Sequence, residues 1–80
     1  MYYVYVLKSK FDKGLYIGST GDLRKRIIAH NSGKVRSTKN RKPFTLCFYE
    51  AYPNKNISLI RERYLKTSDG HKDIYKRIVK

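Results

Sequence analysis

Acidic residues are scarce in this chain: six Asp and Glu stand against nineteen Lys and Arg in 80 residues, a formal charge of +13. The cations run from Lys8 to Lys80 rather than forming a tail, so the folded surface is expected to attract polyanions, with nucleic acid as the leading partner. Cysteine is nearly absent. Cys47 alone excludes an internal disulfide and any multi-thiolate zinc site, fits a reducing cytoplasm, and reads as a buried strand residue. Long apolar runs are missing as well. Met1 to Leu7 is too short for a signal peptide and has no basic region ahead of it, and nowhere do about 18 apolar residues run together. The expectation is a soluble cytoplasmic protein, free to associate with the nucleoid, with no membrane partner, because a basic membrane anchor would gather its charge on one helix.

The length allows one small domain, residues 1–80, that buries roughly 60% of its unfolded surface. Tyr2 to Lys8 is β-branched and aromatic, Lys10 to Gly14 supplies turn chemistry, and Leu15 to Ser19 forms the second arm of a hairpin. Thr20 or Asp22 caps a helix over about residues 22–32, with Leu23, Ile27 and His30 at i, i+4 and i+7 and Gly33 as its stop. From Lys34 to Lys42 there is no periodicity, and this predicts the most exposed segment of the chain. Pro43 opens a third strand, Phe44 to Tyr52, which Pro53 closes. Asn56 is the expected cap of a helix that sets Ile57, Ile60 and Tyr64 on one face. A break at Ser68-Asp69-Gly70 then precedes a last helix carrying Ile74 and Ile78. The predicted order is β-β-α-β-α-α, an α+β domain with helices covering a three-stranded sheet.

Tyr3-Val4-Tyr5, Tyr16-Ile17-Gly18-Ser19-Thr20, Asp22-Leu23, Arg26, His30-Asn31-Ser32-Gly33, Thr38, Pro43 and Arg61-Glu62 follow one another in an order and spacing that resembles the GIY-YIG nuclease domain. The resemblance spans almost the whole chain. It is strongest to the small stand-alone bacterial members that are similar to the N-terminal nuclease domain found in excinuclease ABC. It implies an antiparallel sheet flanked by helices and metal-dependent cleavage of DNA. Two departures stand out: Tyr3 occupies the position of the first motif's Gly, and the final helix has no Asn where several family enzymes carry one.

Phosphodiester hydrolysis needs a deprotonated water, stabilisation of charge growing on phosphorus, and help for the departing alkoxide. A two-metal centre would cluster several carboxylates, and the close helical pair here is only Asp69 with Asp73, so a single ion held by one carboxylate is the better fit. The resemblance at Arg61-Glu62 makes Glu62 that ligand, for Mg²⁺ or Mn²⁺, with Arg61 and Arg63 keeping it ionised. Glu50 reads instead as half of a structural ion pair. Arg26 shares the face of Leu23, Ile27 and His30 and is expected to meet the scissile phosphate, whereas Arg24 and Lys25 read as solvated. His30, one turn beyond, is placed to relay a proton or hold the phosphate. Tyr5 and Tyr16 fall on adjacent strands, so that either phenol, lowered in pKa by cations and a metal, is a candidate to take the proton of water. Gly18 reads as structural at the site, allowing close approach of the backbone. The other six tyrosines, Tyr2, Tyr3, Tyr49, Tyr52, Tyr64 and Tyr75, read as packing.

Lys34, Arg36, Lys39, Arg41 and Lys42, with the Ser37 and Thr38 hydroxyls, are the expected contacts to the rest of the nucleic acid. No base-reading helix, zinc finger or RNA-binding signature is present, so selectivity for the shape of duplex or branched DNA is expected, ahead of RNA. The alternative is a binding module without catalysis on the same fold. A basic ribosomal accessory protein is a third reading, which explains the charge but not Glu62. The oligomeric state is open at this level.

Overall fold

The computed structural model describes residues 1–78. The strands are β1 (Tyr2–Ser9), β2 (Leu15–Thr20) and β3 (Phe44–Tyr52), and the helices α1 (Leu23–Asn31), α2 (Lys55–Leu65) and α3 (Ser68–Ile78). The element order and the three-stranded sheet are those read from the sequence. The spatial order is β2-β1-β3 with both pairings antiparallel, so the first strand is the middle one.

That position explains its composition. A strand paired along both edges and covered on both faces must be apolar throughout, and Val4 to Leu7 are all buried. Alternation sends Val4 and Val6 to one face, where they meet Ile17, Leu65 and Ile74 under α2 and α3. Tyr5 and Leu7 go to the other, where they meet Phe44, with Tyr16 and the α1 residues Leu23 and Ile27 packed around them. The two clusters form a thin core on either side of one sheet. In β3 the partner of Val6 is Phe48 and that of Leu7 is Leu46, so Cys47 is the extra residue of a bulge, half-buried rather than buried.

The α1–β1 side follows the sequence reading closely. Asp22 is the α1 cap, its carboxylate accepting from the Lys25 N–H at 3.0 Å, and Gly33 takes the left-handed conformation (φ 75°) just past the end. The hairpin turn is pinned by Ser9 Oγ, which accepts from the N–H groups of Phe11 and Asp12 and donates to the Arg41 carbonyl. Arg41 returns the contact. Its guanidinium donates to both Asp12 oxygens (2.6 and 3.3 Å) and to the Leu15 carbonyl, clamping the 34–42 segment to the hairpin. That segment is therefore not exposed throughout, since Val35 and Thr38 are buried.

The α2–α3 half corrects the sequence reading in three places. The α2 cap is Asn54, not Asn56: its side chain accepts from the Ile57 N–H at 2.9 Å. Ile57, Ile60 and Tyr64 do share a face, but it points to solvent. The inward side carries Ser58 and Leu65, with Arg61 and Glu62 half-buried beside them. Arg61 turns inward because its partners lie there: it donates to Glu50 (2.8 and 3.1 Å) and Asp73 (3.1 Å) and so ties α2 to β3 and α3. Glu50 is thus the structural acid expected of it. Ser68 to Gly70 belong to the first turn of α3 rather than to a break, since Thr67 Oγ1 accepts from the Gly70 N–H at 3.1 Å and starts the helix. Four tyrosines read as packing, Tyr2, Tyr49, Tyr64 and Tyr75, are exposed.

Gly70 fixes the α2–α3 crossing. A Cβ there would lie 2.0 Å from the Tyr64 carbonyl oxygen and 2.5 Å from the Leu65 Cα, both backbone atoms that cannot swing aside. Gly70→Ala should lower the unfolding free energy by roughly 1–3 kcal/mol, read from a denaturant midpoint with unchanged slope. A wild-type midpoint would mean that the helices cross more loosely than described.

Candidate active site

The middle of the α1 face holds a chain of polar groups that the core excludes from water. Tyr5, His30 and Thr38, from β1, α1 and the 34–42 segment, are each at most 1% exposed. Tyr5 Oη lies 2.9 Å from His30 Nε2, and His30 Nδ1 lies 2.8 Å from Thr38 Oγ1. The Thr38 hydroxyl donates onward to the Val35 carbonyl at 3.4 Å, so its oxygen accepts from Nδ1–H, and Nε2 is left to accept from the Tyr5 hydroxyl. Burial, aided by the Arg26 charge, pushes the His30 pKa below its ordinary 6.5 and keeps the ring neutral. Burial likewise raises Tyr5 and outweighs the lowering effect of the positive Arg26 guanidinium.

Gly18, the β2 partner of Tyr5, is where the phenol passes. A Cβ on Gly18 would stand 2.5 Å from Tyr5 Oη, so the missing side chain makes room for this tyrosine rather than for a second chain or substrate. Tyr16 lies two residues before it on the same face, its ring edge-on to His30 at 4.9 Å and to Phe44 at 6.5 Å. It is half-buried, and among the described residues no group hydrogen-bonds its hydroxyl. Of the two site tyrosines, Tyr16 is therefore the one with a free hydroxyl.

Glu62 approaches from the other face. Ser19 follows Gly18 and points to α2, where its hydroxyl donates to Glu62 Oε1 at 2.6 Å, while Lys66 Nζ donates to Oε2 at 2.7 Å. Burial pushes the Glu62 pKa up, but the hydrogen bonds from Lys66 and Ser19 and the charges of Lys66 and Arg63 outweigh it and hold the carboxyl below its ordinary 4.5. Arg61, expected to share this role, is taken by Glu50 and Asp73. Because β2 is an edge strand, its two faces meet around Gly18 and Ser19, and the Glu62 charge acts on Tyr5 across that edge. Arg26, half-buried, lines a shallow concavity of about 220 Å³ with Thr20, Asp22, Lys25 and Ala29 along the same side of α1.

Tyr5, Tyr16, Arg26 and His30 thus come together on one face, with Glu62 at the edge beside them. Among the described residues no three metal-ligating side chains cluster. The donor set fits one hard divalent ion, since Glu62 is ionised and such an ion fills most of its positions with water and substrate oxygen. Lys66 is half-exposed on a flexible stem and free to yield Oε2 to it.

The nucleic-acid residues divide. Lys34, Arg36, Lys39 and Lys42 are exposed. Arg41 is spent on the Asp12 clamp and packs its guanidinium 5.7 Å from the Phe44 ring centre, and Thr38 is sealed against His30. Neither is an outward phosphate contact. Ser19 and Lys66, which hold Glu62, are not singled out by the sequence reading, although Lys66 stands at i+4 from Glu62 and is legible as a helical ion pair. Thr38→Val should leave Nδ1–H of His30 without a partner and cost about 1–3 kcal/mol in denaturant unfolding, with Thr38→Ser retaining most of it. Equal midpoints for all three proteins would show that the Nδ1 hydrogen bond is not made in solution.

Comparison with known proteins places the chain in a family. A family model described as the GIY-YIG catalytic domain matches residues 1–77. A UPF0213 protein of Clostridium perfringens is 46% identical over 67 residues, 82% of this chain and 71% of the relative. One of Bacillus pumilus is 41% identical over 76 residues, 92% of this chain and 76% of the relative. The solution NMR structure of the UPF0213 protein BH0048 from Bacillus halodurans superposes with a TM-score of 0.59 at 34% identity, covering 95% of this chain and 84% of that one. With the motif tyrosines, Arg26, His30 and Glu62 gathered around one strand edge, the chain belongs to the GIY-YIG family.

Proposed function

We propose that this protein is a divalent-metal-dependent endonuclease that hydrolyses DNA phosphodiester bonds in the cytoplasm, selecting DNA by structure rather than sequence, as repair or recombination of branched or damaged DNA requires. The observation that carries the reading is the neutral, fully buried Tyr5–His30–Thr38 chain backed against Tyr16 and Arg26, with an ionised Glu62 across one strand edge. A purely packing role would not call for three polar groups in a core this small, where each unsatisfied one is costly.

In this reading the exposed cations Lys34, Arg36, Lys39 and Lys42 draw in the DNA backbone. Arg26 offers its forked donors to the non-bridging oxygens of the scissile phosphate, where charge grows as water attacks. Glu62, oriented by Ser19, would hold Mg²⁺ or Mn²⁺, which when bound would supply electrophilic stabilisation of charge on the phosphate. Tyr16, whose hydroxyl has no hydrogen-bond partner among the described residues, is the phenol that meets and orients the attacking water. Tyr5 and His30 sit behind it without water contact and hold the rings in place.

Two measurements test this. Labelled duplex, nicked, branched and single-stranded DNA should be cut with Mg²⁺ or Mn²⁺ by the wild type, and Glu62→Gln should be slower by about 10²-fold or more while still binding. Binding without cutting on every substrate would reassign the fold to a recognition module, and equal cutting by both proteins would remove Glu62 from the site. Second, replacing Lys39 and Lys42 with Ala should make the log-log salt slope of duplex binding shallower by about 1.8, at roughly 0.9 per phosphate contact, whereas Arg41→Ala should leave the slope alone and lower stability. An unchanged slope in the double variant would place the DNA elsewhere.

A further inference from the structure

The longest interval of the chain without Lys or Arg runs from Pro43 to Asn54, between Lys42 and Lys55, and it contains the whole of β3. β3 is also an open edge. Among the described residues no strand pairs with its outer side, and apart from the bulge at Cys47 its nine residues carry neither the lysine nor the proline that commonly protects an edge. On the α1 face the sheet is covered only in part, since α1 packs over Tyr5, Leu7 and Phe44 and leaves the Tyr3–Tyr49 end bare. There Tyr49 is 52% exposed and packs edge-on to Tyr3 at 5.9 Å, and Leu46 (39%) and Ile28 (58%) extend the patch. Tyr3, Tyr49, Leu23, Ile27 and Ile28 bound an open groove of about 730 Å³ that Asp22 and Arg24 also line.

We infer that this edge and patch are a self-association surface, and that the partner is a second copy of the chain, joined β3 to β3 in antiparallel fashion. The charge pattern selects the occupant. Polyanions are drawn to the cation-bearing helices and loops, not to a strand that has none. Two chains of +13 repel each other least on the approach that joins their β3 edges, because the strand itself carries no cation and the arginines packed against it, Arg61 and Arg77, are paired with Glu50 and Asp73. The other exposed apolar stripe, Ile57, Ile60 and Tyr64 on α2, shares its helix with the exposed Lys55 and Arg63, so a symmetric contact there would bring like charges together. The other sheet edge, β2, is shorter and adjoins the candidate site.

Antiparallel pairing of identical strands places a two-fold axis normal to the sheet. The sheet becomes a continuous one of six strands, Tyr49 and Leu46 of both copies meet near the axis, and both α1 faces lie on the same side. The two β2 edges then stand five strand spacings apart, roughly 24 Å at ~4.8 Å each. This surface does not depend on the nuclease reading. It would, if that reading holds, present two single-strand centres to one duplex.

The test is the mass of the DNA-free protein by light scattering and sedimentation, at about 0.05 M and about 0.5 M salt and up to about 1 mM chain. Association that works against net charge must strengthen as salt screens the repulsion, the reverse of nucleic-acid binding. A two-chain mass that grows with salt, reduced to one chain by Tyr49→Lys or by Ala51→Lys with unchanged circular dichroism, and kept by Ile60→Lys, is the expected result. The second β3 variant serves if the first fails to fold. A one-chain mass under all conditions overturns the inference, and so does a dimer lost in Ile60→Lys but kept in both β3 variants.

Discussion

The hydrogen bonds through His30 are the constraint around which the rest of the molecule is arranged. A side chain with two polar nitrogens sits at zero exposure in a domain too small to hide an unsatisfied group, so each nitrogen needs a partner of the right kind at the right place. One partner is on the middle strand and the other in the connection that follows α1. Satisfying both fixes where α1 lies on the sheet, how the 34–42 segment folds back, and why Gly18 has no side chain. The arrangement that secures the fold is also the one that backs the free phenol of Tyr16.

Scarcity of acid has a structural counterpart. Asp12 clamps the hairpin through Arg41, Asp22 caps α1, Glu50 and Asp73 share Arg61, Asp69 opens α3, and Glu62 is held by Ser19 and Lys66. Five of the six carboxylates are held by a partner in the fold or the site, and Asp69 sits exposed in the first turn of α3. The large positive excess follows from how few acids the chain carries, and most of those few are committed to contacts within the fold. Glu62 differs from the rest in that its ties are to a hydroxyl and a mobile ammonium, which can be given up to an ion.

The sheet and α1 are legible in the sequence because their signals are local and mutually consistent. Alternation and turn residues bound the strands, Pro43 and Pro53 frame β3, and the Asp22 cap with the Leu23–Ile27–His30 spacing gives the helix and brings out Arg26. The α2 face is not legible, since a 3.6-residue period is satisfied by Ile57–Ile60–Tyr64 as well as by Ser58–Glu62–Leu65. What decides between them is a long-range event, the capture of Arg61 by Glu50 and Asp73. Gly70 reads as a breaker because its reason, the pressing of two helix backbones against each other, lies outside its own segment. Thr38 reads outward with its cationic neighbours, and nothing in those neighbours signals that one hydroxyl among them must face a buried imidazole. Glu62 itself rests on the family motif more than on its surroundings.

The central strand of the sheet comes first in the chain, and its second partner, β3, comes only after α1 and the loop beyond it. On the ribosome, the hairpin and α1 emerge with one edge of β1 unpaired and the Val4–Val6 side uncovered. At ~5–20 residues per second this state lasts for a few seconds before Tyr52 is available. During that interval the nascent chain exposes an apolar template to any neighbouring strand, the risk that a late-arriving partner strand imposes on a central first one.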